Sequence, residues 1–133
     1  MLPLRHSRLW LSIGWMLVLA AVVVCLVPGH DLPETGMSDK SEHFICYGTL
    51  TLWFAGLYPR SRYGAIALWL LAMGIAIEFA QGAMHLGRSA DVKDVLANSI
   101  GIVIGLILSF AGLGRWAQWI DSWTRARESA SFD

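Results

Sequence analysis

Charge is scarce in this chain: Asp, Glu, Lys and Arg make up 15% of its 133 residues, where soluble domains carry roughly 25%. A water-facing surface needs more than that, so the shortage argues against a soluble globule. Cysteine is scarcer still. The only two, Cys25 and Cys46, fall in apolar stretches, which excludes a disulfide scaffold and a multi-cysteine zinc site. Two thiols in membrane segments are expected, with a disulfide between them left open. Ten Lys and Arg offset ten Asp and Glu, and no basic run interleaves with aromatics. The electrostatic footprint of a nucleic-acid binder is therefore missing, and nucleic acid is not an expected partner. Internal repeats, linkers and low-complexity stretches are missing too, so the chain reads as one helical domain with short loops.

Apolar length is what the chain has in quantity, with 56% of its residues hydrophobic. A spanning helix needs about 20 mainly apolar residues, and each central charge costs kilocalories. Four charge gaps fit. Residues 9–29 run without Asp, Glu, Lys or Arg until Pro28 and Gly29 break the helix. Residues 43–59 reach spanning length if Ser38 caps the helix start. Residues 63–82 are apolar except for Glu78 and Gln81, and residues 95–114 hold only Asn98 and two serines as polar side chains. The first run is too long for a signal-peptide core and lacks a clean small-residue exit, so an uncleaved helix is expected. After residue 114, Trp116, Trp119, Ile120 and Trp123 recur at helical spacing, with Arg115, Gln118, Asp121 and Arg125 on other faces. That pattern predicts an amphipathic helix lying in the membrane interface. The fold class is therefore all-α: four transmembrane helices in a compact bundle over 1–114, then an interfacial helix and polar tail over 115–133.

Orientation follows from the flanks. Arg5, Arg8, Arg60, Arg62, Arg115, Arg125 and Arg127 share one side, against Lys40, Arg88 and Lys93 on the other. The positive-inside rule then puts both termini in the cytoplasm and the two longer loops outside. The unusual polar residues cluster at the outer ends of the segments. Asp39, Lys40 and His43 open the second, Glu78 and Gln81 close the third, and Arg88, Asp91, Asp94 and Asn98 lead into the fourth. They should converge at one outer mouth.

Helical spacing sharpens this. Lys40, His43 and Tyr47 follow i, i+3, i+7, and Asp39 lies four residues before His43. Gly74, Glu78 and Gly82 repeat every four residues, a small-residue stripe that lets another helix approach the carboxylate. Asp94, Asn98, Gly101 and Gly105 share a face, and the two glycines form a GxxxG packing element. Plainer roles exist for most of these side chains. Ser38, Asp39, Ser89 and Asp91 are capping residue types. Lys40, Arg88 and Lys93 suit lipid headgroups, and Gln81 and Asn98 suit interhelical hydrogen bonds. Glu78 is the hardest to reduce to structure, because an intramembrane carboxylate is costly unless it is paired or used.

In their order, Asp39-Lys40-x-x-His43, Glu78-x-x-Gln81, Arg88 and Asp94-x-x-x-Asn98-x-x-Gly101-x-x-x-Gly105 resemble the VanZ-like membrane proteins, named for an accessory determinant of teicoplanin (glycopeptide) resistance. The resemblance covers residues 38–105. It implies a multi-pass protein of the bacterial cell envelope, in the cytoplasmic (inner) membrane, and it names a family more than an activity. Asp91 and the tail after Gly114 lie outside the pattern.

Two functional classes follow from the residues. In the first, the mouth recognises an envelope lipid, a phosphate-bearing precursor or a glycopeptide, with Lys40, Arg88, Gln81, Asn98 and Asp39 as binding residues. The alternative is a membrane-embedded enzyme of phosphoryl or acyl transfer, in which Glu78, His43 and Asp94 move protons. No nucleophile motif such as G-x-S-x-G accompanies them. Glu78 and Asp94 paired with Lys40, Arg88 or His43 as a register lock is a third reading. A transporter would need oligomers, because no inverted repeat is visible. No cofactor or metal is expected. A metal variant would use Asp39 and His43 with Glu78 or Asp94, although one histidine among scattered carboxylates specifies no particular ion. Oligomeric state stays open.

Overall fold

The computed structural model describes residues 1–27, 36–84 and 90–129. Its elements are α1 (Ser7–Leu26), α2 (Asp39–Leu57), a 3-10 turn (Arg60–Arg62), α3 (Tyr63–Met84), α4 (Val92–Phe110), a second 3-10 turn (Leu113–Arg115) and α5 (Trp116–Ser129). No strand occurs among the described residues. Local chemistry sets the helix starts. The Ser38 hydroxyl accepts the Ser41 N–H at 3.2 Å, and the Asp91 carboxylate accepts the Lys93 N–H at 2.8 Å. Each satisfies a donor that the first turn leaves open. Gly112, at φ 125°, adopts a backbone that suits glycine and leads the chain out of α4 toward α5.

Contacts at both ends fix the directions. Trp10 packs on Trp53 while Cys25 and Cys46 line one cleft, so α1 and α2 are antiparallel. Gln81 reaches Cys25 and Trp69 stacks on Trp15, so α3 runs parallel to α1. In α2 and α4 the pairs His43 with Asn98 and Thr51 with Gly105 advance together, so these two are parallel. Their contact is the tightest in the bundle. A Cβ on Gly101 would lie 2.4 Å from the Phe44 carbonyl oxygen, and one on Gly105 would lie 2.7 Å from Thr51 Cβ. The small-residue face read from the sequence is thus packed against α2.

Among the described residues three helices, not the expected four, are long and apolar enough to cross a membrane: Ser7–Leu26, Arg60–Met84 and Val92–Phe110. The exception is α2, which has 19 residues but carries Asp39, Lys40, Glu42 and His43 in and just after its first turn. Such charge is expensive in hydrocarbon. The remainder of α2 is screened by its neighbours, with Tyr47, Leu50, Thr51, Phe54 and Leu57 buried. By contrast, α1 turns Leu9, Trp15, Met16, Leu19 and Val23 outward, an apolar surface suited to lipid.

The N-terminal segment meets α2 and α5 at the end of the bundle opposite Cys25. The Leu2 N–H donates to the Leu57 carbonyl at 2.8 Å, and the Arg5 N–H donates to Asp121 Oδ1 at 3.0 Å. That bond and the Arg125 guanidinium hold the Asp121 carboxyl below its usual range. Trp116 departs from the expected interfacial stripe. Its indole N–H donates to the Leu52 carbonyl at 3.1 Å, and its ring lies 4.7 Å from that of Trp53. Trp119, Ile120 and Trp123 remain exposed.

Candidate functional site

The opposite end of the bundle gathers the polar side chains of three helices. From α2, His43 is buried at 3% exposure, and Asp39 and Lys40 are exposed one turn earlier. From α3 come Glu78 and Gln81, and from α4 Asp94 and Asn98, all four buried. The reason is periodicity: these positions fall on the faces that the glycine stripes press together.

His43 Nδ1 lies 3.0 Å from Asn98 Oδ1. An amide oxygen only accepts, so Nδ1 donates in this bond. The Glu78 Oε2 atom accepts the Asp91 N–H at 3.0 Å, which ties the end of α3 to the start of α4. Lys40 Nζ stands 3.5 Å from Asp91 Oδ2 and 3.8 Å from Asp94 Oδ1. Its charge is thus already engaged with two carboxylates. Gln81 points elsewhere, its amide donating to the Cys25 carbonyl at 2.7 Å, an open acceptor in the last turn of α1. Asp91 acts as the α4 cap, and its carboxyl is held low by the Lys93 N–H and by Lys40. Arg88 lies outside the described residues. No disulfide forms among the described residues.

Four buried side-chain atoms have no hydrogen-bond partner among the described residues: Tyr47 OH, Glu78 Oε1, Asp94 Oδ1 and Asn98 Nδ2. Tyr47 OH and Asn98 Nδ2 converge on Gly74, where a Cβ would lie 3.1 Å and 2.8 Å from them. Glycine at that position is what leaves room for both groups. Leaving a buried polar atom unmatched costs about 1–3 kcal/mol. Tyr47 was not among the expected site residues, although its i+7 spacing from Lys40 signalled a shared face. The described charged groups at this end are mostly acidic, with Asp39, Glu42, Glu78, Asp91 and Asp94 against Lys40 and Lys93.

Such a molecule is an all-helical protein with several helices fit for a membrane and a buried polar cluster at one end of its bundle. The chain belongs to the VanZ/LLP1 family, whose model matches residues 7–113. The match extends the resemblance over 38–105 back through α1. The chain is also similar to an uncharacterized protein of Schizosaccharomyces pombe, at 29% identity over 103 residues, covering 74% of this chain and 61% of that relative. It therefore spans well under the full length of that relative. No solved structure matches.

Proposed function

We propose that this VanZ/LLP1-family protein recognises the polar headgroup of an envelope lipid or phosphate-bearing lipid-linked precursor at the end of the bundle that holds His43, Glu78, Asp94 and Asn98. The observation that carries the reading is the set of four buried polar atoms without a hydrogen-bond partner among the described residues. Asn98 Nδ2 and Tyr47 OH donate to phosphate or hydroxyl oxygens, while Glu78 and Asp94 accept from hydroxyl or ammonium groups. Lys40 adds positive charge at this end, and Arg88, outside the described residues, is a further cationic candidate from the sequence. A glycopeptide of the teicoplanin type offers hydroxyl and ammonium groups as well, and is the second ligand class. The arginine-rich end faces the cytoplasm of a bacterial inner membrane in this reading, and the polar end faces outward. Phosphoryl or acyl transfer with Glu78, His43 and Asp94 as proton carriers is the enzymatic alternative.

Tyr47→Phe is the sharpest test, because it removes one hydroxyl that makes no hydrogen bond within the described residues. Folding should be unaffected, while binding should weaken roughly tenfold, the size of one hydrogen bond to a ligand. Native mass spectrometry of purified protein with polyprenyl phosphate, phosphatidylethanolamine, phosphatidylglycerol and teicoplanin reads this directly. Equal binding by both proteins contradicts the reading, and release of inorganic phosphate or fatty acid from the panel selects the enzymatic one.

A further inference from the structure

The geometry points to a divalent-cation site formed by Asp39, His43 and Asp94 at the mouth of the polar end. Each residue offers one ligand atom, and these atoms lie within 4.8 Å of one another. Ligand atoms around a tetrahedral zinc ion stand about 3.3 Å apart, given bonds of about 2.0 Å. Binding would draw the three side chains closer by rotation. Asp39 and His43 are related by one turn of α2, and the close packing of α2 on α4 brings Asp94 beside them.

Three further observations single out this trio. Asp94 is 4% exposed, yet its Oδ1 has no hydrogen-bond partner among the described residues. Its ion pair with Lys40, at 3.8 Å, is too long for a hydrogen bond. His43 has one ring nitrogen bonded to a second polar group, here Asn98, an arrangement found at metal-binding histidines. Finally, a cleft of about 50 Å³ lined by Asp39, Glu42, His43, Cys25, Cys46 and Val24 opens beside two of the three, Asp39 and His43. That is room for an ion and water, since one water needs about 10–15 Å³ of such space.

One imidazole and two carboxylates suit Zn²⁺ or Mn²⁺. Three protein ligands also leave a coordination position open, which a phosphate oxygen can take. The cation site stands on its own geometry; only this use of the open position rests on the headgroup reading. A bound cation would also supply the positive charge that an acidic mouth needs in order to hold a phosphate. Lys40 competes with it at one ligand, since its ammonium stands 3.8 Å from Asp94 Oδ1.

Calorimetric titration of Zn²⁺ into the chelator-treated full chain in detergent, without added lipid, tests the site. One Zn²⁺ per chain is expected. Asp94→Asn, His43→Ala and Asp39→Asn should each abolish binding, and Asn98→Ala should weaken it by about 10- to 100-fold. Lys40→Ala should tighten it, the opposite of what loss of a structural residue does. Asp39 is exposed, so Asp39→Asn keeps the fold even where the buried variants lose it. Absence of Zn²⁺ binding, or binding that survives in Asp39→Asn, overturns the site. Intact Zn²⁺ binding without headgroup binding overturns the proposed function alone.

Discussion

The two oxygens of Glu78 have different surroundings. Oε2 holds the Asp91 N–H, and Oε1 is buried without a hydrogen-bond partner among the described residues. Replacement by alanine strands the Asp91 donor and should lower stability by about 1–3 kcal/mol. Replacement by glutamine keeps a carbonyl oxygen for that donor and should leave stability nearly unchanged. Denaturation in detergent compares the two, and equal stability for both variants would deny the Asp91 bond its role. At this scale the sequence was informative about which polar side chains are buried near the end of α3, because a carboxylate and an amide near the end of an apolar run stand out by their cost. It was silent on which neighbour each would meet. Gln81 shows this: spacing placed it beside Glu78, yet its amide turns to the Cys25 carbonyl on α1, a choice set by packing between helices distant in sequence.

Among the elements, the α2–α4 contact decides where the site is. Gly101→Ala would drive a methyl group into the Phe44 carbonyl, at 2.4 Å, while Gly48→Ala would meet only the Gly101 carbonyl at 3.4 Å. The first should destabilise by about 1–3 kcal/mol and the second by far less. Melting curves of the two single variants read the difference, and a reversed order would mean that α4 does not pack on α2 through this face. The glycine pattern made that face legible. What the pattern did not give was the standing of α2 itself. Counting a charge-free run from His43 onward treats the segment as lipid-facing, whereas Asp39, Lys40 and Glu42 belong to the helix and the other helices shield the rest. Trp116 escaped for a related reason. Its spacing matches Trp119 and Trp123, but proximity to Gly56 and Leu52 draws it inward, and no local pattern encodes that.

Across the whole molecule, the antiparallel order follows from alternating apolar runs and short connections, which the sequence displays. The meeting of the two termini does not. Arg5 and Asp121 are 116 residues apart, and nothing near either announces the other. That meeting gathers Arg5, Arg60, Arg62, Arg115 and Arg125 at one end of the bundle, opposite His43 and Asp94. The orientation proposed here makes an impermeant thiol reagent modify a cysteine placed at Thr35 and spare one placed at Ser61, in intact cells and in a chain lacking Cys25 and Cys46. The reverse pattern would put the polar end in the cytoplasm.

The central claim is that this polar end binds a headgroup rather than only holding the helices together. Glu78→Gln separates the two, since it retains the Asp91 bond while changing the charge and hydrogen-bonding character of the group left for a ligand. Binding of the phosphate-bearing lipid panel by wild-type and Glu78→Gln protein, measured by native mass spectrometry beside matched melting curves, is the direct comparison. Loss of binding at unchanged melting temperature is the predicted result, and full binding by well-folded Glu78→Gln protein would contradict it.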